Sequence, residues 1–246
     1  MTIALNAVHS ANRDRAFKTS AALSVIAGTS IGEQRPQQEE DLRALQQIGT
    51  KVRFSRNETI FNEGDEAKYT YKVISGAVRL CKHTSNGRRQ IADFLLAGDY
   101  FGFLQMGSYS FTAEAVSDVV VMCYPQRQVE HLSNTMPSMG RRILVLLSQR
   151  LQGMQDHLVM LGRQAAKERV ASLLLLIAER SEAEDGEAFD VPMSRQDIAD
   201  YLGLTAETVC RSLSELKRAR LIAVPNIHQI VVNDTEGLQA VADGEE

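Results

Sequence analysis

The chain has 246 residues, 24% charged residues and a formal net charge of −4, which argues against a wholly basic protein that coats nucleic acid. Its three cysteines, Cys81, Cys123 and Cys210, are odd in number and far apart, so no disulfide framework is expected and a reducing cytoplasm fits best. No apolar run approaches the length that spans a bilayer, so no membrane partner is expected.

The first 40 residues are rich in small and polar side chains with little periodicity, which predicts a flexible N-terminal arm. A short helix is expected over residues 39–48. Short β-type runs then alternate with turn residues, and the predicted strands cover residues 51–55, 59–61, 69–75, 77–83, 89–96, 100–103, 111–115 and 119–124. Asn86-Gly87 between two runs is a strong hairpin signal, because both turn positions need positive φ. Such closely spaced strands predict a β-roll or jelly roll over residues 41–130.

A heptad-like pattern replaces the β-type pattern after residue 130. Apolar side chains alternate at spacings of three and four, which predicts one helix over residues 139–162 within a dimerisation segment, residues 131–162. The stripe consists of Leu144, Leu147, Leu151, Met154, Leu158 and Leu161. Packing on the chain's own roll would bury it, and so would pairing with a second copy. The narrow stripe favours a homodimer, because a globular helix usually has a wider apolar face.

The last part of the chain, residues 163–246, is predicted to be a winged helix-turn-helix DNA-binding domain with a short tail. A helix is expected over residues 165–181 and a strand over 188–191. Two β-type runs at 221–224 and 229–233 are predicted to form the wing hairpin.

The helix-turn-helix itself is predicted from capping residues. Ser194 can cap a first helix, with Asp197 three residues later in a capping-box position. Gly203 supplies the positive φ that ends this helix tightly, and Thr205 can cap the second helix.

DNA-contacting residues follow from this geometry, because the start of the second helix faces base edges in the major groove. Arg211 can bind guanine bidentately and Glu207 can accept from cytosine, with Ala206 and Cys210 as modulators. The predicted phosphate contacts are Ser194, Arg195, Gln196, Thr205, Ser212 and Arg218. Residues 205–221 hold four basic side chains against two acidic ones, which favours DNA over a helical hairpin used for packing.

A β-roll, a long dimer helix and a C-terminal winged helix-turn-helix form an α+β arrangement that resembles the superfamily of the cyclic AMP receptor and the fumarate–nitrate reductase regulator (CRP/FNR). The likeness spans roughly residues 40–235, and its signature is matched by residues 194–199 and 207–211. In that family the residues matching Glu207 and Arg211 read the core of each half-site. Ala206, where cyclic-AMP-type proteins often have arginine, resembles the other branch, whose targets are TTGAT-N4-ATCAA palindromes.

The roll sequence at residues 87–95, 98–103 and 110–115 is very similar to that of FixK-type regulators of rhizobia. The resemblance implies a transcription activator of genes for microaerobic respiration and nitrogen fixation, with RNA polymerase as a partner. Cys210 stands where serine is common in this group.

The signal that the roll could sense is not evident from the sequence. Cyclic nucleotide recognition uses a glycine–glutamate pair and an arginine, but Phe103 follows Gly102 and Thr112 stands near the place of the arginine, so cyclic nucleotide is not expected. An iron–sulfur cluster normally needs four thiolates, and Cys81 with His83 make only two neighbouring ligands. No cofactor or metal is therefore expected.

Cys210 lies near a helix N-terminus beside Arg211, the kind of position in which thiols are reactive, which predicts a redox switch at the DNA surface. The alternative is a small neutral side chain at a base edge.

Three other functions compete with the DNA-binding activator. A ligand-gated or redox-gated repressor of the same superfamily would bind a non-nucleotide effector in the roll. A cupin-like metalloenzyme needs clustered histidines, and the five histidines are scattered, so no enzyme is expected. The winged helix could also bind protein rather than DNA.

Overall fold

The structure is a computed structural model that describes residues 35–83, 87–103 and 107–245. Most of the expected N-terminal arm, and Asn86 of the expected hairpin turn, lie outside the described residues. The first described element is helix α1, Arg35–Ile48, which ends where the sequence predicts but begins four residues earlier.

Eight strands lie in the described part of the N-terminal domain, and each predicted strand is found with its ends shifted by at most two residues. The strands are β1 Thr50–Phe54, β2 Thr59–Phe61, β3 Tyr69–Ser75, β4 Val78–His83, β5 Arg89–Leu95, β6 Tyr100–Phe101, β7 Thr112–Ala115 and β8 Val119–Pro125. They form two antiparallel sheets, in the orders β1-β8-β3-β6 and β2-β7-β4-β5.

The two sheets enclose one core because their strands alternate between inward and outward side chains. In β7, Ala113 and Ala115 are fully buried, whereas Thr112 and Glu114 between them are partly exposed. This confirms the predicted β-roll.

Two helices follow the roll, α2 (Gln126–Thr135) and α3 (Pro137–Arg163). They are separate because Pro137 has no N–H and suits the first turn of a new helix rather than a helix interior. The long helix predicted over residues 139–162 is α3, whereas α2 was not predicted. Within the described ranges, no helix is both long enough and apolar enough to cross a bilayer.

The C-terminal domain contains four helices and three strands. They are α4 Ala166–Arg180, β9 Ala188–Asp190, α5 Arg195–Leu202, α6 Ala206–Arg218, β10 Ile222–Asn226, β11 Gln229–Val232 and α7 Thr235–Ala242. The strands form a small sheet in the order β10-β11-β9, with β10 and β11 as the predicted wing. Helix α7 was not predicted: Asp234 caps it, and Leu238 of α7 is fully buried in the core.

The turn between α5 and α6 forms as its capping residues predict. The Asp197 backbone N–H donates to Ser194 Oγ at 3.0 Å, and the Ser194 N–H donates to Asp197 Oδ2 at 3.1 Å. Gly203 has φ of +65° in the left-handed region, and Thr205 Oγ1 accepts from the Thr208 N–H at 3.2 Å. This turn fixes α6 relative to α5.

Replacing Gly203 by alanine should lower the free energy of unfolding by about 1–2 kcal/mol, because an L side chain is strained at this φ. A steric clash would not cause this loss of stability, because an added Cβ would lie in ordinary van der Waals contact, 3.7 Å from Arg169 Nη1 and 3.8 Å from Leu161 Cδ2. Gly203→Asn should lose less, because asparagine adopts the left-handed region more readily. Urea denaturation measures both variants, and an alanine variant as stable as the unmodified chain would contradict this explanation.

Candidate nucleic-acid interface

Helix α6 has one face in the core and one in solvent. Val209, Leu213 and Leu216 are buried, which anchors the helix against the rest of the domain. The exposed side chains are Glu207, Cys210, Arg211, Ser214, Glu215, Lys217 and Arg218. Glu207 and Arg211 are four residues apart and therefore lie on the same side of the helix. The structure thus brings both predicted base-reading residues onto one open surface.

Ala206 and Cys210 flank this pair. Ala206 is the first residue of α6 and is half-buried, and Cys210 is exposed one turn later. The Cys210 carbonyl accepts from Ser214 Oγ at 2.8 Å, so the thiol is not involved in this bond. The charges at the ends of α6 complement the helix dipole. The acidic Glu207 lies in the first turn, at the positive end, and the basic Lys217 and Arg218 lie in the last turn, at the negative end.

The residues predicted to contact phosphate divide into three groups. Thr205 and Arg218 are exposed at the two ends of α6. Ser194 is half-buried and donates its hydroxyl to Asp197 Oδ2 at 2.7 Å. Ser212 is a correction: it is 3% exposed on the buried side of α6 and therefore cannot reach a phosphate.

The two remaining phosphate candidates lie at the start of α5. Gln196 is exposed, and its side-chain amide donates to Asp200 Oδ1 at 2.6 Å. Arg195 is half-buried, and burial lowers the pKa of its guanidinium while the neighbouring Cys210 acts in the opposite direction. Nη1 of Arg195 is buried and finds no hydrogen-bond partner in the described part of the chain.

The wing extends from the end of α6. Its tip is formed by Asn226, Ile227 and His228, with Ile227 73% exposed. Asn226 Oδ1 accepts from the His228 N–H at 2.9 Å, which tightens the turn. Asn233, just after the wing, donates from Nδ2 to the Arg220 carbonyl at 3.1 Å.

The apolar stripe of α3 is not covered by the chain's own roll. Leu144, Leu151, Met154 and Leu158 are 64%, 58%, 55% and 68% exposed, while Leu147 and Leu161 are half-buried. Val145 and Val159, which were not predicted, widen the exposed apolar surface. Packing within one chain therefore does not explain the stripe.

Aromatic rings fill the interior of the roll. Phe61 stacks on Tyr109 at 3.7 Å between centroids, and Tyr71 stacks on Phe101 at 5.0 Å. The Tyr109 hydroxyl donates to the Tyr69 carbonyl at 2.7 Å, so the buried polar end of this ring is satisfied. These buried side chains fill the middle of the roll.

The three residues considered for nucleotide binding have other roles. Gly102 has φ of +76°, and an added Cβ would lie only 3.1 Å from the Tyr69 carbonyl oxygen. Phe103 packs near Tyr100 at 5.7 Å between centroids, and Thr112 Oγ1 accepts from the Glu63 N–H at 3.0 Å. These side chains present neither a carboxylate nor a guanidinium to a ligand.

The three cysteines lie in different environments. Burial raises the pKa of Cys81 and of Cys123 to about 11, so both thiols stay protonated at neutral pH. Cys210 is exposed. His83 is exposed two residues from Cys81, and among the described residues no three His, Cys, Asp or Glu side chains are grouped so as to hold a metal ion.

A charged network that the sequence did not predict joins the roll to α5. Arg79 contacts Glu114 at 2.8 Å and Asp197 at 3.2 Å. Arg89 contacts Asp197 at 2.5 Å and Asp200 at 2.8 Å. Burial alone would raise the pKa of Asp197, but the Ser194 hydrogen bonds and the two guanidinium charges hold it below its usual range.

Both domains match known families. Residues 51–135 match the cyclic nucleotide-binding domain family, and residues 168–241 match the Crp-like helix-turn-helix domain family. The nitrogen fixation regulation protein FixK of Bradyrhizobium diazoefficiens is 39% identical over 213 residues, which are 86% of this chain and 85% of the relative. The transcriptional activator protein FnrL of Cereibacter sphaeroides is 32% identical, over 79% of this chain and 81% of the relative.

The fold is also found in a solved structure, that of FixK2 from Bradyrhizobium japonicum. It superposes with a TM-score of 0.75 at 36% identity, covering 79% of this chain and 97% of that chain. Together, the roll, the helix-turn-helix with its open α6 surface and these relatives define a dimeric regulator of transcription that binds DNA through a winged helix-turn-helix, and not an enzyme. We call α6 the recognition helix from here on. The chain belongs to the CRP/FNR family and is similar within it to the FixK-type regulators.

Proposed function

We propose that the chain activates transcription by binding, as a homodimer in the cytoplasm, to TTGAT-N4-ATCAA palindromes upstream of genes for microaerobic respiration and nitrogen fixation. The observation that carries the proposal is the exposure of Glu207 and Arg211 side by side on the recognition helix. The names of the relatives, which include nitrogen fixation regulation proteins and a transcriptional activator, support the class of target genes. RNA polymerase is the proposed second partner.

Each half-site contains one guanine in TTGAT and, on the opposite strand, its cytosine. The Arg211 guanidinium matches the O6 and N7 acceptors of guanine, and the Glu207 carboxylate accepts from cytosine N4. The Ala206 methyl group and the Cys210 thiol are small enough to lie against thymine methyl groups. Thr205, Gln196, Arg195 and Arg218 are exposed or half-buried around this surface, where the phosphates would pass.

Arg211→Ala should reduce discrimination at the guanine of each half-site by about 1–3 kcal/mol, because the bidentate contact is lost. Fluorescence anisotropy with the consensus palindrome and a guanine-substituted one measures the preference. Arg218→Ala is the matched control: it should weaken binding to both sites equally and reduce the salt dependence. If Arg211→Ala kept the full preference, guanine would be read elsewhere.

The exposed stripe on α3 is the proposed dimer contact. The six stripe residues repeat at the heptad spacing that two helices share when each inserts side chains into the other. Four of these residues are more than half exposed in the single chain, so the partner helix would remove a substantial apolar area from water.

Leu151→Glu should convert the dimer into monomers, because it places a carboxylate in the middle of an apolar contact. Sedimentation velocity measures the change. Gln152→Glu is a suitable control, since it adds the same charge at an exposed position outside the stripe and should leave the dimer intact. A dimeric Leu151→Glu variant would place the contact on another surface.

The roll is proposed to bind no cyclic nucleotide. The stacked rings of Phe61, Tyr71, Phe101 and Tyr109 fill its interior. A buried cyclic phosphate would also need a positive partner, and Thr112 stands near the place of the family's arginine.

Cys210 is proposed as a redox switch of DNA binding. Its thiol is exposed on the recognition surface, and the Arg195 guanidinium is close enough for the two groups to interact electrostatically. The Cys210 thiolate would attack one oxygen of hydrogen peroxide and break the O–O bond, which forms a sulfenic acid and releases hydroxide, protonated to water. The larger polar group would then oppose the close approach of DNA.

Peroxide should therefore weaken the binding of the unmodified chain to the palindrome and leave Cys210→Ala and Cys210→Ser unaffected. Cys81 and Cys123 are buried with raised pKa values, so they provide an internal control for thiol reactivity. Gel shifts before and after peroxide, with reductant to reverse the effect, measure this response. Equal sensitivity in the Cys210→Ala variant would contradict the switch.

A ligand-gated repressor is the second candidate, and one observation favours it. A cavity of about 250 Å³ lies between the roll, α3, α4 and α5, and its lining includes Asp93, Arg150, Arg180 and Tyr201. A non-nucleotide effector there would contact the roll, α3, α4 and α5 together. DNA binding that is lost after unfolding and refolding of the purified chain, and restored by small molecules from a cell extract, would favour this candidate.

A further inference from the structure

The contact between the roll and α5 contains buried charged side chains. Asp197 is 4% exposed and Arg79 is 8% exposed, although charged side chains are rarely buried without a specific partner. Asp197 Oδ1 accepts hydrogen bonds from both Arg79 Nη1 and Arg89 Nη2, and Asp197 Oδ2 accepts one from the Ser194 hydroxyl. One carboxylate therefore caps α5 and also anchors α5 to strands β4 and β5.

Further contacts fix α5 on two other sides. Gln90 Nε2 donates to the Asp200 carbonyl at 2.7 Å, next to the Arg89–Asp200 ion pair. The Tyr201 ring lies between the roll and the long helix, 5.1 Å from the Phe94 ring and 4.1 Å from the His157 ring. Helix α5 is thus held against the roll and α3 of the same chain.

The connection from α4 closes the arrangement. Arg169 of α4 donates to the carbonyls of Leu161, Gln164 and Leu202 at 2.8, 2.9 and 2.9 Å. The end of α3, the start of α4 and the end of α5 are therefore tied together through one guanidinium. Because the Gly203 turn fixes α6 on α5, the direction of the recognition helix is determined by the same contacts.

We propose that Arg79 and Arg89 are positioning residues for DNA binding: they fix the winged helix-turn-helix on the roll and so set the separation of the two recognition helices in the dimer. A dimer that reads two half-sites needs those helices about 34–36 Å apart, one turn of the duplex. Neither arginine has to touch DNA for this role. The positioning role depends on the proposed function only in the spacer-preference experiment, which uses the proposed palindrome.

The first experiment needs no DNA. Cys210 on α6 is exposed while Cys81 and Cys123 are buried, so a thiol-reactive spin label on the full-length dimer reports the Cys210–Cys210 separation by pulsed electron resonance. The unmodified dimer should give one narrow distance distribution, and Arg89→Gln should broaden it. Lys82→Gln is the matched control, since Lys82 pairs with Glu63 at 2.6 Å on the exposed surface of the same roll. Its distribution should match that of the unmodified dimer.

Two results would overturn the proposal. One is an Arg89→Gln distribution as narrow as that of the unmodified dimer, and the other is a broad distribution in the unmodified dimer itself. Arg89 is chosen because it is less buried than Arg79, with 21% of its side chain exposed against 9%. A thermal melt and sedimentation of each variant check that it is folded and dimeric.

The second experiment measures the preference for the spacer between half-sites. The unmodified chain should favour N4 over N3 and N5, and Arg89→Gln should reduce this ratio at least ten-fold while Lys82→Gln leaves it unchanged. A general loss of folded protein lowers all three affinities equally and does not change the ratio. A double-mutant cycle with Asp200→Asn should be non-additive, because Arg89 and Asp200 are in direct contact.

The outcomes separate the two proposals. If the unmodified chain shows no spacer preference, the proposed palindrome fails, whereas the distance distributions still test the positioning role. If it prefers N4 and Arg89→Gln keeps the full preference, the positioning role fails and the palindrome stands.

Discussion

Burial of the Asp197 carboxylate at the junction of the two domains is the constraint on which the arrangement depends most. A buried charge is tolerated only when it is fully paired, and here Ser194 and two arginines of the roll supply the partners. Moving the helix-turn-helix away from the roll would take both carboxylate partners from Arg89, and it would leave Arg79 with Glu114 and Asp197 with Ser194. The ion network and the orientation of the two domains therefore depend on each other.

The two domains have different roles. The roll uses its interior for aromatic packing and its outer edge for holding α5, and the C-terminal domain exposes the side chains that we propose read bases. The formal net charge of −4 is compatible with this role because the three basic side chains of α6, Arg211, Lys217 and Arg218, are all exposed. We expect such a chain to attract bare DNA weakly, and we therefore expect base readout by a symmetric dimer to contribute much of its affinity.

Local sequence rules were enough for most of the fold and part of the site. Short β-type runs separated by turn residues predicted the eight strands, and the capping residues Ser194 and Gly203 predicted the helix-turn-helix. Both kinds of signal act within a few residues. The burial of Ser212 could also have been predicted, since it lies three residues after Val209 and one before Leu213 on the same side of α6. The Arg79–Asp197 pair joins residues 118 positions apart, so no pattern within a few residues of either one could have predicted this contact.

The most direct test of the central claim is the affinity of the full-length chain for the TTGAT-N4-ATCAA palindrome and for the same duplex with one half-site scrambled, at equal salt. A symmetric dimer that reads both half-sites through α6 should lose on the order of a hundred-fold in affinity, because several base contacts at about 1–3 kcal/mol each are removed. Equal affinity for the two duplexes would contradict sequence-specific reading by a dimer.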